Sequence, residues 1–337
     1  MTKTLTIIGA TGTQGGSVVT ALLNNPNYAI RGVTRNINSD KARSLAAQGV
    51  EVVQADLDDF ESLKLAFKGS HAVFAMTNFF EACLRTGSMP AAMQLEEQQG
   101  RNLATAAAST PGLEHYIWSS LPNSSQNTKG KIVVPYMASK NAVDDYIRTQ
   151  PDLWDKTTLI WFGWHAENIQ NPLFRPQPLA SFNPPGRDVV HHINVPVETQ
   201  MAALGSATVN SGLWVRAILQ QPAITLPGKA VAAVMDYISF KDIFATYHQS
   251  RAEAAGAGKS PGKAHVVEVS DNKYAEMWPA WGEILGISQR YMASLPGQSF
   301  SSVHEEIEVL LRRDLDGLDG LVTTQQTFDD MARASAT

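Results

Sequence analysis

With one cysteine, Cys83, in 337 residues, the chain cannot form an internal disulfide, so an oxidised, secreted scaffold gains no support. No stretch approaches the roughly 18 consecutive apolar residues of a membrane helix. The opening MTKTLTIIGA is too short and too glycine-interrupted for a signal peptide. Charge of one sign is also scarce. Lysine and arginine number 27 against 32 aspartate and glutamate, a net of −5, which offers neither nucleic acid nor an anionic membrane an electrostatic footing. The histidines include no HxxxH or HxH spacing, and the adjacent His191 and His192 point in different directions, so no metal is expected. There is no P-loop and no nucleophile elbow. Disorder and coiled coil are excluded by 44% hydrophobic and 18% charged residues. What remains is a soluble protein, expected in the cytoplasm, of about two domains at roughly 150 residues each.

The first 162 residues alternate short apolar runs with helical segments. Strands are expected at 4–8, 29–34, 50–54, 71–76, 115–120 and 157–162, and helices at 17–24, 40–48, 60–68, 93–109 and 136–149. That rhythm predicts an α/β fold, a Rossmann-type doubly wound parallel sheet with helices on both faces. After Gly163 it breaks. Six prolines (172, 176, 178, 184, 185 and 196) mark a loop-rich stretch over 170–197. Beyond it, helices are expected at 209–220, 239–251 (with Ser239 as N-cap), 274–285 and 304–313. Strands are expected at 230–237 and 265–269, and an exposed loop at 252–263. The expected division is a first domain, 1–162, and a smaller C-terminal lobe, 163–337, with some elements returning to the sheet. That lobe would cover the carboxyl edge of the sheet, where a substrate pocket forms.

Residues 9–15 read Gly9-Ala10-Thr11-Gly12-Thr13-Gln14-Gly15, directly after the first strand and opening the first helix. A GxxGxxG string carries little weight alone, but this context is what a dinucleotide pyrophosphate requires. Gly9 permits a tight turn, Gly12 lets backbone amides approach the phosphates, and Gly15 lets the helix close on the strand. Thr11, Thr13 and Gln14 complete the loop. The rival reading is a glycine-rich turn without a ligand. An NAD site usually shows an acid at the end of the second strand. Here Val33-Thr34-Arg35 stands instead, with Lys41 and Arg43 behind it and no acid before Asp40. A guanidinium suits a 2′-phosphate, so NADP(H) is the expected cofactor, against a solvated surface arginine. Asp56, with Leu57 beside it, follows the third strand and is placed to accept from an adenine amine. Its other role would be to cap the next helix, for which Asp58 and Asp59 are better placed. Thr77 and Asn78 follow the fourth strand, facing the cofactor's central ribose.

Tyr136 and Lys140 lie four residues apart on one face of the helix after the fifth strand. The spacing is common by chance; the position beside an expected nicotinamide gives it weight. A phenol of ordinary pKa about 10 becomes a better proton donor when a nearby ammonium lowers it. Lys140 is the candidate for that role and for a bond to the nicotinamide ribose. Ser120, with Ser119, ends the preceding strand and is the candidate to polarise a substrate carbonyl; Ser124 and Ser125 are rival positions. A strand-end hydroxyl bonded to its own backbone and a tyrosine packed on the sheet edge are the structural alternatives. Glu96 and Glu97 are expected on a solvated helix face.

The loop Gly9–Gly15, Val33-Thr34-Arg35, Gln54-Ala55-Asp56-Leu57-Asp58 and Gly163–Asn168 together resemble the NmrA-like branch of the short-chain dehydrogenase/reductase superfamily. Ser239-Phe240-Lys241-Asp242 fits its C-terminal region, so the resemblance covers most of the chain. It implies an arginine that binds the NADP 2′-phosphate. It also implies that Gly163, Trp164 and Asn168, in a segment similar to the family's aromatic-rich Glu-Asn stretch, lie near the nicotinamide. Trp164 would offer aromatic area to a ring-containing substrate. His165 would donate to substrate or cofactor, or else pack as a core histidine. Sensor-type members bind dinucleotides without turning them over and usually lack the reductase tyrosine, whereas this chain keeps Tyr136 and Lys140. The implied activity is NADPH-dependent reduction of a carbonyl, imine or activated double bond in a small secondary-metabolite-like molecule, with Tyr136 as proton donor. The alternatives are a redox sensor acting on a protein partner, and a non-redox isomerase or cyclase on the same fold.

Overall fold

The computed structural model describes residues 2–179, 188–254, 256, 262–304 and 306–336. In the first half the elements run β1 (Lys3–Ile8), α1 (Thr13–Leu22), β2 (Tyr28–Thr34), α2 (Asp40–Ala47), β3 (Glu51–Gln54), α3 (Phe60–Phe67), β4 (Ala72–Ala75), α4 (Phe79–Thr86) and α5 (Met89–Ala108). They continue with β5 (His115–Ser120), α6 (Ser124–Asn127), α7 (Pro135–Arg148), α8 (Pro151–Trp154) and β6 (Thr157–Phe162). The six strands pair in parallel in the order β3-β2-β1-β4-β5-β6. This is the doubly wound arrangement, with its topological switch between β1 and β4. Every residue of β5 and β6 is buried, as a central parallel strand covered on both faces requires.

The second half supplies β7 (Trp164–His165), β8 (Gln177–Pro178), β9 (Val189–Ile193), β10 (Gln200–Gly205), α9 (Ala207–Gln220), α10 (Pro222–Thr225), β11 (Lys229–Ala233) and β12 (Asp236–Ser239). It ends with α11 (Phe240–Ala254), β13 (Ala264–Glu268), α12 (Asp271–Met277), α13 (Trp281–Ser294), β14 (Val309–Leu310) and α14 (Thr324–Ala336). Strands β11 and β14 extend the main sheet past β6, and two three-stranded sheets, β12-β10-β7 and β13-β9-β8, stand beside it. Helix α9 packs on α1 through a shared hydroxyl. Ser17 Oγ donates to the Val209 carbonyl at 3.0 Å and accepts from the Gly212 amide at 2.8 Å. Leu5, Ile7, Val18, Leu22, Trp214 and Ile218 fill that side of the sheet, and Phe67, Leu103, Tyr116, Trp118 and Val143 the other. Trp118 and Trp214 are fully buried. Each removes on the order of 200 Å² from water, worth about 5 kcal/mol before entropy is counted. Among the described residues no helix is long and apolar enough to cross a membrane.

Three local expectations are corrected. Among the described residues of 304–313 there is no α-helix, only a single 3-10 turn that begins at Arg312. Val309 and Leu310 pair in parallel with Ala230 and Val231, because that edge of the sheet offers unpaired backbone groups that an isolated helix would leave open. The expected strand 230–237 is two strands: β11 stays in the main sheet, while β12 turns to pair antiparallel with β10. The helix 274–285 is interrupted at Pro279, with Ala280 at φ 65°, so α12 and α13 point differently. Helix α4, between Asn78 and Gly87, is an addition to the expected elements. The Ser239 cap is present, its Oγ accepting from the Asp242 amide at 3.1 Å. Of the expected loop 252–263, residues 252–254 belong to α11, and 255 and 257–261 lie outside the described residues, as do 180–187 of the proline-rich stretch.

Candidate functional site

A cleft of about 590 Å³ runs along the carboxyl ends of the central strands and continues under the second half of the chain. Its first wall is the glycine loop. Gly9 has φ +68°, and a Cβ on Gly15 would lie 2.3 Å from the Gly9 carbonyl oxygen, so the strand-to-helix turn is closed to larger side chains at both positions. Gly12 opens α1 without a side-chain cap, and no acid lies in the first turn. The first amides of α1 are therefore left for an anion, which suits a pyrophosphate. Thr11, Thr13, Gln14, Arg35, Asp56, Leu57, Thr77 and Asn78 line the same wall. Lys41 is not among the lining residues; its Nζ lies 3.4 Å from the Thr11 carbonyl.

Helix α4 brings five lining residues that the sequence reading missed, Phe79, Phe80, Glu81, Ala82 and Arg85. The signal was present: Asn78 Oδ1 accepts from the Glu81 amide at 3.3 Å, the half of an N-cap box that an Asn-x-x-Glu spelling announces. Glu81 pairs with Arg35, so the guanidinium has an acidic partner after all. Arg85 meets Asp58 at 2.7 Å, and Gln99 donates to the other oxygen of Asp58 at 2.8 Å. Burial pushes the Asp58 carboxyl up, but these two donors outweigh it and hold it below the ordinary carboxylate range. Arg43 faces Asp40 and the Asn38 carbonyl, not the cleft.

Pro135 opens α7 and puts Tyr136 at its start, in the cleft. The phenol does not meet Lys140. Its Oη lies 2.5 Å from Ser288 Oγ on α13, and burial pushes it up to about 12 although that hydroxyl opposes the shift. The rings of Phe79 and Phe80 line the cleft here, Phe79 6.1 Å and Phe80 5.8 Å from Tyr136, and Trp281 backs Phe80 at 5.8 Å. Lys140 also lines the cleft, but its Nζ is 2.9 Å from Thr77 Oγ1 and 3.2 Å from Glu96 Oε1. Glu96 is fully buried, accepting from Thr77 Oγ1 at 2.7 Å and from Ser139. The expectation of a solvated Glu96 is thus overturned, while Glu97 pairs with Arg101 at the surface. Glu96 shares the buried stripe of α5 with Ala92, Gln99, Leu103 and Ala107, one helical turn apart, a pattern readable in the sequence.

None of Ser119, Ser120, Ser124 and Ser125 lines the cleft. Ser120 Oγ donates to Asp144 Oδ2 at 2.6 Å, Ser119 to Gln14 at 3.3 Å, and Ser124 accepts from the Val134 amide at 2.9 Å. The buried Asp144 takes the Trp118 Nε1 donor as well, so Ser120 is turned into the protein and away from any carbonyl in the cleft. Gly163, Trp164, His165 and Asn168 line the cleft. Burial lowers the His165 imidazole, against Glu167, so the ring is held neutral. Glu167 itself caps α9, bonding the Ser206 hydroxyl at 3.0 Å and the Ala207 amide at 3.1 Å. The remaining wall, Gln289 apart, is apolar and comes from distant parts of the chain: Leu121, Met137, Phe174, Met201, Leu285, Met292 and Phe300. No local pattern marks these, because they converge only through the fold.

A glycine loop at the switch point of a doubly wound sheet, opening into a cleft with one apolar wall, defines a Rossmann-type α/β protein. The chain belongs to the NmrA-like family, whose model matches residues 1–277. It is 38% identical over 168 residues to the NmrA-like family domain-containing oxidoreductase hkm9 of Aspergillus hancockii, covering 50% of this chain and 48% of that protein. Against the corresponding oxidoreductase lnaB of Aspergillus flavus it is 34% identical over 167 residues, again 50% and 48% of the two chains. The matched region thus spans about half the length of these curated relatives. In fold it resembles NmrA, a negative transcriptional regulator solved in complex with NADP (TM-score 0.65, 20% identity, 99% of this chain and 90% of that one). It equally resembles the NADPH-dependent quinone oxidoreductase QOR2 of Escherichia coli, solved with NADPH (TM-score 0.67, 17% identity, 99% and 100%).

Proposed function

We propose that the chain is an NADPH-dependent reductase of a small, neutral, ring-containing molecule. The observation that carries this reading is Tyr136, which lines one cleft with the glycine loop and the apolar wall. Gly9, Gly12, Gly15 and the first amides of α1 would hold the pyrophosphate, with Thr11, Thr13 and Gln14 around it. Arg35, with Lys41 at the rim, would take the 2′-phosphate, and Asp56 and Leu57 the adenine. Thr77, Asn78, Lys140, Gly163, Trp164 and Asn168 would border the nicotinamide riboside. NADPH, when bound, supplies a hydride to the substrate carbon.

The protein's part is the proton. Burial keeps the Tyr136 phenol neutral, so it donates at neutral pH and does not act as a base. As the substrate π bond breaks and charge develops on its oxygen or nitrogen, the phenol proton passes to that atom. The Ser288 hydroxyl, 2.5 Å away, then donates to the phenolate left behind. Met201, Met292, Phe174 and Phe300 favour an apolar substrate body, with the Trp164 ring adding aromatic area and His165 a polar group at its edge. The curated relatives, themselves called oxidoreductases, support reduction. One observation favours a second reading: Lys140 is committed to Glu96 and Thr77 and leaves Tyr136 without an ammonium, which a dinucleotide sensor with a protein partner would tolerate.

Tyr136→Phe tests the assignment. With NADPH affinity retained, NADPH oxidation against a panel of quinones, aryl ketones and cyclic imines is expected to fall by about 100-fold or more. Absorbance at the nicotinamide band and product mass are followed together. Undiminished turnover in the variant overturns the role of Tyr136, and a wild type that oxidises NADPH with no member of the panel favours the sensor.

A further inference from the structure

We propose that Glu81 sets the discrimination between NADPH and NADH, by holding the guanidinium that a 2′-phosphate must engage. The inference rests on the dinucleotide reading of the cleft and deepens it. The end of β2 carries no acid of its own, but α4 delivers one from 46 residues away. Both carboxylate oxygens of Glu81 face the two terminal nitrogens of Arg35, Nη2 to Oε2 at 3.2 Å, and both residues line the cleft. The carboxylate is set on a helix whose first turn is capped by Asn78, so its position is fixed by backbone and not by a loose loop.

Of the three other cations nearby, two are also balanced and Lys41 alone faces no carboxylate among the described residues. Arg85 is paired with Asp58, Arg43 with Asp40, and Lys41 reaches only a carbonyl at 3.4 Å. A 2′-phosphate, a monoester carrying between about 1.5 and 2 negative charges, therefore meets Arg35 already neutralised and a carboxylate beside it. It must turn Glu81 out into water, which a side chain 36% exposed allows, or accept like-charge repulsion. The 2′-hydroxyl of NADH is a neutral donor, and a carboxylate at this place is the group that accepts from it. One residue thus weakens NADPH binding and supports NADH binding, narrowing a preference that Arg35 alone would make wide.

The test is calorimetric titration of the whole chain with NADPH, NADH, 2′,5′-ADP and 5′-ADP, for wild type, Glu81→Gln and Glu81→Ala. Removing the charge is expected to tighten NADPH and 2′,5′-ADP and to leave NADH and 5′-ADP unchanged or weaker. The NADPH-to-NADH affinity ratio should move toward NADPH by about tenfold, which is 1.4 kcal/mol. A ratio within twofold of wild type in both variants, with NADPH still binding, overturns this proposal and leaves the dinucleotide reading standing. A wild type that binds neither dinucleotide overturns both.

Discussion

Lys140 and Glu96 form a buried ion pair beneath the cleft, Nζ 3.2 Å from Oε1, with Glu96 fully excluded from water and Lys140 nearly so. Two charges in such a place persist only when their remaining hydrogen-bonding capacity is met. Thr77 and Ser139 meet it on the carboxylate, and Thr77 together with the Trp118 ring, 5.2 Å from Nζ, on the ammonium. The pair therefore ties α5 to α7 and fixes the position of Thr77 after β4.

Glu96→Ala leaves an uncompensated ammonium in the interior and is expected to destabilise the fold by about 3–5 kcal/mol. Adding Lys140→Met to it should recover a large part of that loss, since the double variant removes both charges. Urea denaturation of the two single variants and the double variant checks the coupling, and additive losses would show that the pair contributes nothing as a pair.

Ser288→Ala removes the hydroxyl that opposes the upward shift of Tyr136. The phenol should become a weaker acid, and turnover should fall about tenfold, with a stability cost of about 1 kcal/mol for the lost buried hydrogen bond. The effect belongs in kcat, with NADPH affinity unchanged. A loss confined to KM would show that Ser288 shapes the pocket without acting on Tyr136.

Asp144 is pushed up to about 6 by burial, against the opposing bonds from Ser120, Asn141 and Trp118 and the charge of Arg148. Its folded pKa exceeds the unfolded one, so the native state binds the extra proton and stability falls as pH rises from about 4 through about 6. The contribution is on the order of 3 kcal/mol. Asp144→Asn should flatten that limb of the stability profile, read by urea midpoints at pH 4, 5, 6 and 7. A profile with the wild-type slope would refute the assignment.

Gly15→Ala forces a methyl toward the Gly9 carbonyl, which a Cβ would approach to 2.3 Å. The backbone of the loop must open, and the expected result is a stability loss of about 2 kcal/mol or more together with loss of NADPH binding. Thermal melts with and without NADPH measure both. Retained NADPH-induced stabilisation would mean that the loop is not the phosphate site.

The sheet of the first half was legible because its signals are local. β-branched runs, the tight glycine turn after β1 and the capped helices each record a backbone preference within a few residues, and parallel strands buried on both faces advertise themselves as apolar runs. The placement of the glycine loop, Arg35, Tyr136 and the Gly163–Asn168 segment on one cleft follows from that alternation. The failures lie where two strands or helices compete for the same apolar letters: 304–313 carries a helical composition but completes a sheet edge, and α4 is short enough that its cap was its main announcement.

The sequence by itself thus determined the α/β layering and the family, since both are written in short-range patterns. Tertiary structure alone decided which charges and hydroxyls meet. Glu81 reaches Arg35 across 46 residues, and Ser288 reaches Tyr136 across 152. Glu96 captures Lys140 between two helices that are separated in sequence by β5 and α6. The reason is physical: the chemical character of a side chain is carried in one letter, but its partner and its exposure to water depend on distances that exist only once the chain has closed on itself. Here those distances turned Ser120 away from the cleft and Lys140 away from Tyr136, and brought Ser288 and Glu81 to the cleft.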